Sequence, residues 1–131
     1  MGSIAFRASH VEIDLSILGN ILDLPVFFSW RAGEPRVTPQ GNYLPGMRDR
    51  SYWCTRIEWT EPNKTDEFVL RVLNALKQCE EWRSLVANGV RAEFYVCLSP
   101  DGTNYVEFSA ATLEEISTLG IQVQIEAMAS S

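Results

Sequence analysis

The chain has 131 residues, 46% of them hydrophobic and 11% aromatic, which supplies core material for one folded domain and argues against disorder. It carries 11 Lys and Arg against 17 Asp and Glu, a net charge of −6, so it lacks the basic surplus that non-specific nucleic-acid binding needs. No apolar run approaches the ~20 residues of a membrane span, and no charged-then-apolar leader opens the chain, so a cytoplasmic location is expected.

In chain order, Met1-Gly2-Ser3 does not complete a myristoylation signal, because Phe6 stands where Ser or Thr is required. The first strand is expected over residues 10–17. There Val11, Ile13, Leu15 and Ile17 alternate with His10, Glu12, Asp14 and Ser16, the period of a half-buried strand. A short helix is expected around residues 22–30. Residues 30–52 then read as a long loop rich in turn formers (Gly33, Pro35, Pro39, Gly41, Pro45, Gly46), with Trp30, Tyr43 and Tyr52 tying it to the body.

Residues 53–59 alternate again, with Trp53, Ile57 and Trp59 on one side and Cys54, Arg56 and Glu58 on the other. A helix follows, capped by Thr65, with Asp66 and Glu67 in its first turn. Its stripe of Val69, Val72, Leu73, Leu76, Cys79 and Val86 runs on to a stop at Gly89. Residues 90–98 form the next strand, with Val90, Ala92, Phe94, Val96 and Leu98 inward. Turn chemistry over residues 99–104 leads into a strand at 105–109, so the two read as a hairpin. Ser109 caps a second helix that ends at Gly120, and Ile121, Val123, Ile125 and Ala127 mark a last strand.

These elements make residues 1–131 a single α+β domain: one mainly antiparallel sheet with helices packed on one face. From residue 53 the order is βαββαβ, a ferredoxin-like core preceded by an extra N-terminal strand.

His10 is the one histidine, and Cys54, Cys79 and Cys97 show no CxxC spacing, so they read as reduced thiols. No HExxH, GxSxG, GxxxxGK[ST] or GxGxxG is present. No metal, cofactor or catalytic residue is therefore expected, and the chain is not expected to be an enzyme.

Several local patterns carry a likeness. They are Leu18-Gly19-Asn20-Ile21-Leu22-Asp23, Arg31-Ala32-Gly33-Glu34, Arg50-Ser51-Tyr52-Trp53, Trp82-Arg83-Ser84-Leu85, and Phe108-Ser109 followed by Leu113 and Leu119-Gly120-Ile121. Over most of its length the chain resembles the bacterial family known as domain of unknown function 4279. Its first helix looks shorter than that family's usual one. The resemblance implies a fold and no established chemistry. Some relatives resemble immunity proteins of bacterial toxin systems, which implies a role in protein binding.

Two candidate surfaces follow from the residues. On the polar side of the expected sheet, Glu12, Asp14, Glu58, Glu93, Glu107 and Glu126 face only Arg56 and Arg91, an acidic surplus of four. With Tyr95 as an aromatic anchor, this face would suit a basic, toxin-like protein partner; the bland alternative is a solvated sheet face. The loop carries Arg31, Arg36, Arg48 and Arg50 against Glu34 and Asp49. Those arginines either form an anion or small-ligand site or tie the loop to the acidic face, with Arg50 stacked on Trp53. The chain is expected to be a monomer or homodimer.

Overall fold

The computed structural model describes residues 2–59, 61, 63–100 and 105–128. In chain order the elements are β1 (Gly2–His10), α1 (Ile17–Leu22), β2 (Phe28–Trp30), β3 (Pro35–Val37), β4 (Tyr43–Met47), β5 (Ser51–Trp59), α2 (Asn63–Lys77), α3 (Glu80–Ala87), β6 (Arg91–Leu98), α4 (Ala110–Thr118) and β7 (Ile121–Ala127). The main sheet has the order β2-β5-β1-β6-β7, and β3 and β4 form a separate two-stranded sheet. The chain is thus α+β, with helices packed against one face of a five-stranded sheet.

The sheet is mixed. β1 lies at its centre, antiparallel to β5 and β6, whereas β7 runs parallel to β6 with Ala92 opposite Ile121. Parallel neighbours need a crossover connection, and α4 lies in that crossover. The expected hairpin and the ferredoxin-like order are not seen, because residues 105–109 form no strand. Their alternation is real: Val106 and Phe108 pack against the core while Tyr105 and Glu107 are exposed. Both edges of β6 are already taken, by β1 and β7, so this extended segment has no ladder to join. Residues 101–104 of the expected turn lie outside the described residues.

The first strand also departs from expectation, lying at Gly2–His10 instead of 10–17. Ile4, Phe6 and Ala8 alternate inward and are buried. His10 ends the strand, since its Nδ1 accepts the backbone N–H groups of Glu12 and Ile13 at 2.9 and 2.8 Å. The chain therefore turns, and Val11 and Leu15, which a strand would hold on one face, end up 53% and 1% exposed. Gly2 sits tightly between β5 and β6. A Cβ there would stand 2.4 Å from the Cys97 carbonyl oxygen and 2.8 Å from the Trp59 ring.

The expected helix from Thr65 to residue 88 is two helices. α2 begins at Asn63, leaving Thr65 buried in its first turn instead of capping it, and the break falls at Cys79, whose backbone is extended. Trp82 explains the break. At 100° per residue it would lie about 130° off the stripe of Val69, Val72, Leu73 and Leu76 in an unbroken helix. Restarting at Glu80 puts Trp82 into the core, where its ring meets Phe6 at 5.9 Å and its Nε1 donates to the Leu119 carbonyl. α4 forms as expected, with the Ser109 hydroxyl accepting the Thr112 N–H at 3.1 Å.

The short helix expected around 22–30 is instead α1, ending at Asp23, followed by the edge strand β2. The expected loop over 30–52 contains the β3–β4 hairpin. Thr38 closes its tip: its N–H reaches the Asn42 carbonyl, and its hydroxyl and carbonyl accept from Asn42 and Gly41.

Candidate binding surfaces on the open face of the sheet

Strand register determines what the helix-free face carries. Four cross-strand rows follow from the pairing. They are Trp30, Tyr52, Ser9 and Arg91; then Phe28, Cys54, Arg7, Glu93 and Gln122; then Arg56, Ala5, Tyr95 and Gln124; and last Glu58, Ser3, Cys97 and Glu126. Residues on the opposite side of the sheet, among them Phe6, Trp53, Phe94 and Val96, lie in the core.

Of the residues expected on an acidic sheet face, Glu58, Glu93, Tyr95 and Glu126 are there. Glu12 and Asp14 are not, because they follow the end of β1 in a turn, where the Asp14 Oδ1 accepts the Ser16 N–H. Glu107 lies on the exposed segment before α4. The rows therefore hold three arginines (Arg7, Arg56, Arg91) and three glutamates (Glu58, Glu93, Glu126), and the face is balanced rather than negative. Its acids are also engaged: Arg7 with Glu93, Arg56 with Glu58 at 3.5 Å, and the Tyr95 hydroxyl with Glu126.

Arg7 is the hub of this face. Its guanidinium lies 4.0 Å from the centroid of the Tyr95 ring and pairs with Glu93. Burial alone would lower its pKa, but the Glu93 carboxylate outweighs that and holds it above the ordinary value. Burial pushes the neighbouring Tyr52 hydroxyl up, against the opposing pull of Arg7. Burial likewise pushes the Cys54 thiol up.

The four loop arginines differ in their surroundings. Arg36 donates to the Pro45 carbonyl at 3.4 Å, and Arg48 lies over the Trp30 ring at 3.9 Å, with its buried Nε unpartnered among the described residues. Arg31 and Arg50 are exposed. The expected Arg50–Trp53 stack is absent because Trp53 is 1% exposed and points into the core. Trp30 instead stacks on Tyr52, with centroids 4.9 Å apart and planes 20° apart, which ties the two ends of the hairpin region together. Tyr43, expected to help, is 77% exposed.

Two features of the surface escaped the sequence reading. The first is an apolar edge. Val26, Phe27 and Phe28 are about half exposed on and beside the edge strand β2, with Phe27 and Phe28 rings 4.3 Å apart and Arg56 over Phe27. The Phe-Phe pair was the available signal, and it was absorbed into an expected helix. The second is a recess of 330 Å³ between the first two rows, lined by Arg7, Ser9, Tyr52, Arg91, Glu93 and Gln122. Away from this face, a wider and more apolar cleft of 820 Å³ opens between α3 and α4 beside Val86, Ala111 and Leu119. A third cleft, of 370 Å³, is lined by Asp14, Ser16, Ile17, Glu81, Ser84 and Leu85. Among the described residues no group of three or more His, Cys, Asp or Glu side chains is placed to hold a metal ion. No described helix is long and apolar enough to cross a membrane.

Compared with known proteins, residues 3–130 match the family model described as Domain of unknown function (DUF4279). No match was found among curated proteins or among solved structures.

Proposed function

The chain belongs to the DUF4279 family, and from that premise we propose that it is a non-catalytic protein-binding domain whose contact surface is the aromatic edge of the sheet. The observation that carries this reading is the exposed run Val26-Phe27-Phe28 on and beside a three-residue edge strand, 55%, 48% and 47% exposed. Trp30 and Tyr52 continue it as a stacked pair. Aromatic side chains presented together on a rigid strand are the usual anchors of an interface. An edge strand with free backbone groups also accepts pairing from a partner chain.

The net charge of −6 favours a basic partner during approach, since steering acts at long range. The contact itself is apolar, and the balanced open face is not its main source of attraction. An immunity role would take the form of covering a toxin surface with this edge. The test is affinity capture from the native host with the wild-type chain and a Phe27→Ser/Phe28→Ser variant of unchanged circular dichroism. One stoichiometric basic protein, held by the wild type and lost by the variant, is expected. Retention of that partner by the variant would sink the reading.

A further inference from the structure

We infer that the recess on the open face between Tyr52, Ser9, Arg91 and Gln122 is a binding site for a small organic monocarboxylate. This site adjoins the aromatic edge at Tyr52, but its polar groups Ser9, Arg91 and Gln122 lie outside that edge, and neither reading depends on the other.

The recess follows from one small residue between two large ones. Ser9 on the central strand is flanked in its row by Tyr52 on β5 and Arg91 on β6. The next row supplies the far wall with Arg7, Glu93 and Gln122. The resulting volume, 330 Å³, is at the small end of the range that holds small molecules.

The polar groups in this recess divide into two sets. Arg7 and Glu93 satisfy each other, and Arg7 also stacks on Tyr95. The side chains of Ser9, Arg91 and Gln122 have no hydrogen-bond or ion-pair partner among the described residues. Three unengaged donor-bearing groups from three adjacent strands therefore line one concavity. With Arg7 neutralised by Glu93, the uncompensated charge is the single positive charge of Arg91.

That charge balance selects the ligand class. An arginine fork accepts a carboxylate through two parallel N–H···O bonds, and Ser9 and Gln122 add neutral donors. A single positive charge matches a monoanion. A phosphate dianion would bring a second negative charge against Glu93 in the wall and is disfavoured. The Tyr52 ring offers the apolar body of the ligand a flat neighbour.

The test uses the full chain, labelled with ¹⁵N, and benzoate as the probe at constant ionic strength. Saturable shifts at the amides of Ser9, Arg91 and Gln122 are expected. Arg91→Gln should weaken benzoate about tenfold, the loss of one charge-assisted contact, while Arg83→Gln on the far face of the molecule leaves binding unchanged. If Arg91→Gln fails to give a folded spectrum, Gln122→Leu takes its place and should weaken benzoate several-fold. Inorganic phosphate at pH 8 should not saturate the same amides. Shifts that never saturate, equal binding by the substituted chain, or phosphate binding as tight as benzoate would each overturn the inference.

Discussion

The Trp82 indole N–H donates to the Leu119 carbonyl across 3.0 Å, joining α3 to the residue that closes α4. Trp82 is 0% exposed and its ring also touches Phe6 on the central strand, so one side chain links two helices and the sheet. Trp82→Phe keeps most of the apolar volume and removes the donor. The expected loss is about 2 kcal/mol, the range for leaving a buried partner unsatisfied, read from urea unfolding followed by circular dichroism. A loss below about 0.5 kcal/mol would show that the hydrogen bond contributes little.

Gly120 and Gly41 both hold positive φ, +75° and +89°, but differ in surroundings. A Cβ at Gly120 would lie 3.0 Å from Val86 Cγ1, whereas nothing lies within 4 Å of one at Gly41. Gly41→Ala should cost about 1 kcal/mol from the left-handed backbone alone. Gly120→Ala should cost clearly more, because Val86 must also move. Parallel melting curves of the two variants give the comparison; equal losses would mean that α3 gives way freely.

His10 holds the turn after β1 with Nδ1, while its Nε2 donates to the Asn88 carbonyl at 2.8 Å. These partners require the Nε2–H tautomer of the neutral ring. His10→Ala should cost about 1 kcal/mol and should speed hydrogen exchange at the Glu12 and Ile13 amides. Unchanged exchange at those two amides would contradict the assigned role.

Cys54 and Tyr52 share a direction of titration: burial raises both above their ordinary values. A group whose pKa is higher folded than unfolded contributes stability that is complete below the unfolded value and lost as pH rises through the folded one. For the thiol, that loss begins above about pH 8.5. Wild-type stability should therefore fall on the alkaline side, and Cys54→Ala, though less stable at neutral pH, should show a shallower decline between pH 8 and pH 10. Urea midpoints across that interval check it; parallel declines would remove Cys54 as a cause.

Local signals were legible where an element depends on its own residues. The period-two runs at 53–59, 90–98 and 121–127 fall on β5, β6 and β7, and the Ser109 cap and Gly120 stop bracket α4. The same rule misled at residues 105–109, where alternation reflects half-burial without a neighbouring strand, and at residues 10–17, where the chain turns and Val11 and Ile17 are exposed while Leu15 is buried. Ile4, Phe6 and Ala8 also alternate and mark β1, but the apolar Ala5 between them blurs the period-two pattern.

The candidate surfaces were less legible because a face is a property of strand membership. Glu58, Glu93, Tyr95 and Glu126 were placed on the open face from their own strands, and that placement holds. Glu12, Asp14 and Glu107 inherited theirs from strands that do not form. The aromatic edge was hidden by an expected helix, and the 330 Å³ recess was invisible, since Ser9, Arg91 and Gln122 are polar residues of no motif.

By itself, then, the sequence determined the α+β class, most of the strands and helix ends, and a family likeness, because propensity, periodicity and capping act within a few residues. Only the tertiary structure decided that β7 lies parallel to β6, that the helix breaks at Cys79 to admit Trp82, and that Arg7 meets Glu93, 86 residues away. Those outcomes depend on which surfaces compete for the same partner in space, and that competition is settled by burial and hydrogen-bond satisfaction over the whole chain.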